Sequence, residues 1–265
     1  MKELKEIEKS IIKKYRKEIY SRFVRAVKDF DLIKEGDHIA VCISGGKDSF
    51  LLAKCMQELK KHSKYNFEVK YIVMDPGYAK ENINLIKNNL QKLGIPGEIY
   101  KSNIFESIKD TASPCYLCAR KRRGFLYAKA QELGCNKIAL GHHFDDVIET
   151  ILLNIIYAGE YKTMMPKLKS TNFDNMELIR PLYFIKEKDI ISWKYHCDLQ
   201  FLDCACFVTK KEIGKRKEIK DLISNLRKVD KNIDIHIFKS SENINLDAVL
   251  GYKTKDEKYS FMDEY

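Results

Sequence analysis

Four clusters in this sequence carry residue types that do chemistry. The first, Ser44-Gly45-Gly46-Lys47-Asp48-Ser49, sets two glycines among hydroxyl, ammonium and carboxylate groups. With no Cβ at Gly45 and Gly46 the backbone can approach an anion closely, and the N–H groups of a following helix start point at it with the positive helix end. Ser44 and Ser49 add hydroxyl donors, Lys47 a cation, and Asp48 a carboxylate able to hold Mg²⁺ against phosphate oxygens. The stretch therefore reads as a phosphate cradle, although it has neither G-x-x-x-x-G-K-[ST] nor G-x-G-x-x-G spacing.

The second cluster is Cys115-Tyr116-Leu117-Cys118 followed by Arg120-Lys121-Arg122-Arg123-Gly124. Two thiols three residues apart can share a metal or form a redox pair, and the spacing alone leaves zinc, iron–sulfur, disulfide and persulfide chemistry open. The four basic residues suit an RNA backbone, or form a solvated helix face. The third cluster, Gly141-His142-His143-Phe144-Asp145-Asp146, offers imidazoles and carboxylates for a nucleotide or Mg²⁺ and lacks zinc-protease spacing. The fourth is the late thiol pair Cys204-Ala205-Cys206.

Elements must bring these clusters together. The apolar run His38 to Ile43 reads as a strand, and Leu51, Leu52, Cys55, Met56 and Leu59 mark one face of the next helix. Further strands are expected at Phe67 to Met74, Glu98 to Lys101 and Lys137 to Leu140, with helices between them, and a fifth between Met164 and Leu182. That alternation implies a doubly wound, mainly parallel α/β sheet of five strands. In such sheets ligands sit beyond the carboxyl ends of the strands, which puts Met74 and Asp75 beside the phosphate loop, with Met74 as an apolar contact for adenine. Residues 1–30 read as an amphipathic helix, 31–206 as the nucleotide domain, and 207–265 as a basic helix and tail on the same domain. No composition shift marks an internal boundary.

The chain has 265 residues and a formal net charge of +10, which fits a polyanionic partner. No apolar run approaches the roughly 20 residues that span a bilayer, and Met1-Lys2-Glu3-Leu4-Lys5 is no signal peptide, so a cytoplasmic location without membrane partner is expected. Eight cysteines without an export signal point to metal or sulfur chemistry in a reducing compartment. Cys42, Cys55 and Cys135 fall on apolar faces and are expected to be buried packing thiols.

The first loop resembles the S-G-G-x-D-S loop of the N-type ATP pyrophosphatases. With Cys-x-x-Cys and Arg-Arg-Gly, then Gly-His-His-x-Asp-Asp, Arg180-Pro181-Leu182 and a late Cys, the order resembles the tRNA 2-thiocytidine synthetases from about residue 23 to about residue 250. The resemblance implies a Rossmann-like, adenine nucleotide alpha hydrolase-like sheet and ATP-dependent thiolation of an anticodon-loop cytidine in tRNA. ATP would adenylate the C2 oxygen, Mg²⁺ would assist, and sulfur from a cysteine desulfurase or sulfide would displace AMP. ATP contacts would come from Ser44, Gly45, Gly46, Lys47, Asp48, Ser49, Met74, Gly141, His142 and Asp146, and RNA contacts from Arg120, Lys121, Arg122 and Arg123. A [4Fe–4S] cluster would be held by Cys115, Cys118 and a third thiol, so that Asp48, Cys115, Cys118 and Cys206 carry the chemistry. The chain departs from the family's Pro-Cys-x-x-Cys at the late site, where anchoring on the final thiol favours Cys206 over Cys204; Met165 also replaces a proline. Dimers are common among related enzymes, so a homodimer is compatible. The competing readings are thiolation of uridine, a Cys persulfide carrier without a cluster, lysidine formation, which leaves the thiols unused, and a non-catalytic nucleotide-binding iron–sulfur sensor.

Overall fold

The computed structural model of the protein describes residues 2–108, 114–202 and 214–263. The chain opens with helix α1 (Leu4–Lys9), two widened π-helical turns (Ser10–Lys14 and Arg16–Tyr20) and α2 (Ser21–Asp29). The widening has a reason in the sequence. Ile7, Ile11, Tyr15, Ile19 and Phe23 recur every four residues and all are buried. Steps of four on an ideal helix of 3.6 residues per turn rotate by about 40° each, so the stripe would wind off the core without locally looser turns.

The nucleotide-domain alternation follows as expected, through β1 (His38–Ile43), α3 (Lys47–His62), β2 (Glu68–Asp75), α4 (Lys80–Lys92), β3 (Gly97–Lys101), α5 (Pro114–Glu132), β4 (Lys137–Ala139) and α6 (Phe144–Leu153). Then come β5 (Lys167–Lys169), β6 (Glu177–Ile179) and α7 (Glu187–His196). The sheet order is β3-β2-β1-β4-β6-β5, parallel except for β5, which pairs antiparallel with β6. Five parallel strands match the expected sheet, and the sixth arises because one expected strand is a hairpin with a short polar arm, Lys167-Leu168-Lys169.

Alternate strand residues feed two layers. Ile39, Val41, Ile43, Val73, Ala139 and Ile179 share one core with the N-terminal stripe, α3 and Trp193 of α7. Ala40, Cys42, Ile72, Ile138 and Leu178 pack under Tyr127 and Ala130 of α5. This two-sided burial is what a parallel sheet with helices on both faces requires. From β1 the chain runs outward through β2 to β3, then returns to β4 on the other side of β1. The order reverses between β1 and β4, and a crevice opens beyond their carboxyl ends.

Two compact units divide the chain: 1–147 with 165–214, and 148–164 with 215–265. The N-terminal helical segment thus falls inside the first unit. The second contains the end of α6, α8 (Lys215–Val229), α9 (Ile233–Ser240) and the hairpin of β7 (Gly251–Lys253) with β8 (Lys258–Ser260). Within it, buried Glu149 pairs with Arg216 at 2.9 Å and Tyr161 bonds Ser240 at 2.8 Å. No composition break announces this unit because part of it is the continuation of a mid-chain helix.

The N-terminal segment braces α7: Tyr15 donates to the Ser192 carbonyl at 3.0 Å, the Trp193 indole to Ser10 Oγ at 3.2 Å, and Arg22 pairs with Asp189 at 2.9 Å. Ile19→Ala is therefore expected to lower unfolding free energy by about 2–5 kcal/mol, whereas exposed Lys13→Ala should change it by no more than about 0.5 kcal/mol. Urea unfolding measures both, and equal midpoints would show that the stripe is not part of the core.

Candidate active site

Hydrogen bonds within the sequence Ser44 to Ser49 shape the loop after β1. Ser49 Oγ accepts from the Ser44 N–H at 3.2 Å and from Ser44 Oγ at 3.3 Å, and donates to the Gly46 carbonyl at 2.8 Å. Gly45 has φ +93°, open to glycine at little cost. No side chain caps α3, so its first N–H groups face the crevice with the positive helix end.

The loop after β4 comes directly against this turn. A Cβ on Gly141 would stand 3.0 Å from the Asp48 carbonyl carbon and 3.0 Å from the Ser49 nitrogen, so any side chain there would press on that backbone and glycine suits the contact. Ser44, Asp48, Ser49, Met74, Gly141, His142 and Asp146 then line one cavity of about 360 Å³. Ala119, Arg122 and Arg123 of α5 close its far wall. The phosphate loop and the helix that carries Cys115 and Cys118 thus share a single cavity. Gly45, Gly46 and Lys47 belong to the loop but do not line the cavity.

The paired His and Asp residues separate in role. Asp145 Oδ2 accepts from the Glu187 N–H at 2.7 Å and so caps α7, while Asp146 Oδ2 accepts from the His143 N–H at 3.0 Å. His143 is buried between two carboxylates, with Nε2 3.8 Å from Asp48 and Nδ1 3.5 Å from Asp146. Asp75, expected beside the loop, accepts the Gly77 and Tyr78 N–H groups at 2.9 and 2.8 Å and forms a turn, and the Tyr78 hydroxyl donates to the Ser44 carbonyl at 3.3 Å.

Burial holds the Asp48 carboxyl above its ordinary range despite the lowering pull of His143 and Lys47, and Asp146 adds to the rise. Its Oδ1 is buried and accepts no hydrogen bond among the described residues. That oxygen has only the Lys47 ammonium at 3.3 Å and His143 Nε2 at 3.8 Å beside it, and with the neighbouring Asp146 charge it is the kind of ligand a divalent cation bound to phosphates takes. Burial pulls the Lys47 ammonium down, but Asp48 and Glu187 outweigh it and leave the group above its usual value. Lys47 Nζ lies 3.0 Å from Glu187 and 3.3 Å from Asp48.

Sequence reasoning missed the parts played by Glu187 and Arg180. Arg180 is buried, and its Nε donates to His142 Nδ1 at 3.3 Å. A guanidinium has no acceptor, so the neutral His142 ring carries its proton on Nε2. Burial, then the Arg123 charge, lowers the Arg180 pKa to about 10. The Arg180-Pro181-Leu182 motif was the only sign of this residue, and its partner is visible only once β6 lies beside β4.

The thiols fall into two groups. Cys42, Cys55, Cys135 and Cys197 are buried, and burial raises all four, Cys42 to about 12, which keeps them as inert packing groups. Cys118 is buried against Met74, Ile104 and Phe105, and of these Met74 lines the cavity. Cys115 lies in the first turn of α5; its side chain, and the whole of Cys204 and Cys206, lie outside the described residues. Among the described residues no group of three His, Cys, Asp or Glu could hold a metal. Leu202, two residues before Cys204, donates its N–H to the Gly45 carbonyl at 3.1 Å, so the chain departs toward the late thiols from the phosphate loop itself. Of the basic run, Arg122 and Arg123 reach the cavity, Arg120 is exposed, and Lys121 bonds Ser107 Oγ at 2.8 Å.

Comparison with known proteins matches the PP-loop domain family over residues 15–205. A tRNA-cytidine(32) 2-sulfurtransferase of Geotalea uraniireducens is 36% identical over 241 residues, 89% of this chain and 95% of that protein. One from Alcanivorax borkumensis is 35% identical over 240 residues, 88% and 83% of the two chains. Among solved structures, the U34-tRNA thiolase NcsA from Methanococcus maripaludis with its [4Fe-4S] cluster superposes with a TM-score of 0.67 at 24% identity, over 84% of this chain and 76% of that one. That likeness shows the same fold.

Because folding raises the Asp48 pKa, the stability it contributes is present at acid pH and is lost as pH rises through its folded value. Asp48→Asn should therefore raise the melting temperature of the ligand-free protein at neutral pH, with the gain shrinking toward acid, while abolishing Mg²⁺-dependent ATP binding. Calorimetry reads both effects, and an undiminished Mg²⁺ dependence would remove Asp48 from the cation site.

Proposed function

The chain belongs to the PP-loop family that includes the tRNA-cytidine(32) 2-sulfurtransferases, and on that premise we propose that it replaces the C2 oxygen of an anticodon-loop cytidine in tRNA by sulfur at the expense of ATP. The observation that carries the reading is the shared cavity: the phosphate loop forms one wall and the helix of Cys115 and Cys118 the other.

An amide-like oxygen is a poor leaving group, and the first task is to convert it. The cytidine O2 attacks the α-phosphorus of ATP, a P–O bond forms, the bond between the α and β phosphates breaks, and diphosphate leaves. The uncapped N–H groups at the start of α3 stabilise the departing charge. Asp48 and Asp146 would hold Mg²⁺, which neutralises phosphate charge when bound. Met74 gives adenine an apolar contact, and Arg122 and Arg123 hold anionic groups at the opposite wall.

In the second step sulfur at the level of hydrosulfide attacks C2. A C–S bond forms, the C–O bond breaks, AMP leaves with the electron pair, and the sulfur proton passes to solvent. Sulfide itself would be the donor; the persulfide of a cysteine desulfurase would serve once a second thiol reduces it, releasing hydrosulfide and forming a disulfide. Cys115, Cys118 and Cys206 would hold a [4Fe–4S] cluster, which when bound supplies an iron open to a non-protein ligand. Thiolates suit that group, and Cys118 packs on Met74 and directly precedes Ala119, both of which line the cavity. No helix among the described residues is long and apolar enough to cross a membrane. A cytoplasmic enzyme meeting free tRNA is consistent with that.

Anaerobically prepared protein given ATP, Mg²⁺, sulfide and tRNA should form AMP and 2-thiocytidine in equal amounts, read by nucleoside mass spectrometry. Thiolation by cluster-free protein would replace the cluster with a persulfide, and AMP-free incubation would favour a sensor. Cys206→Ala should lose the brown iron–sulfur absorbance while Cys204→Ala keeps most of it. The reverse pattern would move the third ligand to Cys204.

A further inference from the structure

Beside the nucleotide cavity lies a second groove of about 420 Å³, between α5 and the turn that joins β5 to β6. Arg123 and Ala119 line both, so the two adjoin along α5. Arg120 and Arg123 supply its positive charge, and no carboxylate lines it among the described residues. Phe173 lies flat on buried Tyr127, with ring centroids 5.1 Å apart and planes 11° from parallel. One ring face is thus covered, and Phe173 itself is half-buried and lines the groove. Ser170 Oγ accepts from the N–H groups of Asn172 and Phe173 at 3.3 and 3.0 Å, so its own proton is available to a ligand acceptor.

The floor is the unexpected part. Gly124 sits inside the 19-residue helix α5, where glycine weakens the helix relative to alanine. A Cβ built there would meet nothing within 4 Å. Packing therefore gives no reason for the glycine, and the fold bears its cost for an opening that none of its own described atoms fills.

We propose that this groove seats a nucleotide adjacent in the RNA to the one whose base enters the nucleotide cavity. Its backbone runs close over Gly124, its phosphate meets Arg120 and Arg123, and its base stacks on Phe173, which lines the groove. The inference rests on the thiolation reading for the identity of the RNA. Its chemistry is that of single-strand recognition, in which cations hold phosphate and an aromatic ring holds any base. An anticodon loop, whose bases are unpaired, presents both.

Full-length protein and a tRNA transcript, titrated by fluorescence anisotropy at several salt concentrations, test the groove. Gly124→Ala should melt at the same or a higher temperature yet bind tRNA more weakly, a combination that a structural glycine would not give. Phe173→Ala should weaken binding by about tenfold, and Arg120→Gln should flatten the dependence of log K on log salt by about 0.7. Wild-type protein that binds tRNA while Gly124→Ala and Arg120→Gln bind it equally well overturns the groove and leaves thiolation standing. Wild-type protein that neither binds nor thiolates tRNA overturns both.

Discussion

The architecture of the site depends on one steric fact: the backbone of the β4 loop touches the backbone of the β1 loop, and Gly141 is the point of contact. Parallel pairing of Ile39 with Lys137 through Val41 with Ala139 fixes the two strand ends at one level. The loops that leave those ends must then share the same space, and absence of a side chain at residue 141 lets them do so. The contact brings His142 and Asp146 to the rim of a turn made for phosphate. It also limits how far the turn can open, because Ser49 is tied within its own loop by three hydrogen bonds.

Around that contact, charge is arranged so that no group acts alone. Lys47 is the obvious phosphate ligand by sequence, yet without a ligand it is held by Glu187 and Asp48. The free positive potential at the turn comes from the helix start of α3 and from Arg122 and Arg123 across the cavity. Glu187 reaches Lys47 only because Asp145 caps α7 and the N-terminal segment braces the same helix from behind. The amphipathic first helix, distant from any chemistry in sequence, therefore braces the helix that carries the Glu187 partner of Lys47.

What could be read from the sequence follows from locality. His38–Ile43 is expected and found with the same bounds, because a buried parallel strand is a continuous apolar run and the glycine turn ends it. The packing thiols Cys42, Cys55 and Cys135 were legible for the same reason, since each sits in a local apolar pattern. Arg180 was not: its contact with His142 depends on Ile179 lying opposite Ala139, a pairing set by tertiary structure. The hairpin arm at Lys167–Lys169 escaped because two lysines flanking one leucine carry no strand signal, and its pairing with β6 supplies what propensity lacks. Loosened turns in the first helix were implicit in a four-residue repeat that an α-helix alone cannot keep on one face.

The two classes of thiol show how one residue type serves both structure and chemistry. A thiol surrounded by hydrocarbon is driven toward its neutral form, as burial does to Cys42, and such a group neither ligates nor attacks. A thiol beside guanidinium groups and a helix start is drawn the other way. Cys115 enters α5 at its positive end, one turn before Ala119 and two turns before Arg122, both of which face the cavity. The start of α3 at the opposite wall and the guanidinium groups of Arg122 and Arg123 bias one crevice positive, and that suits the phosphates of ATP.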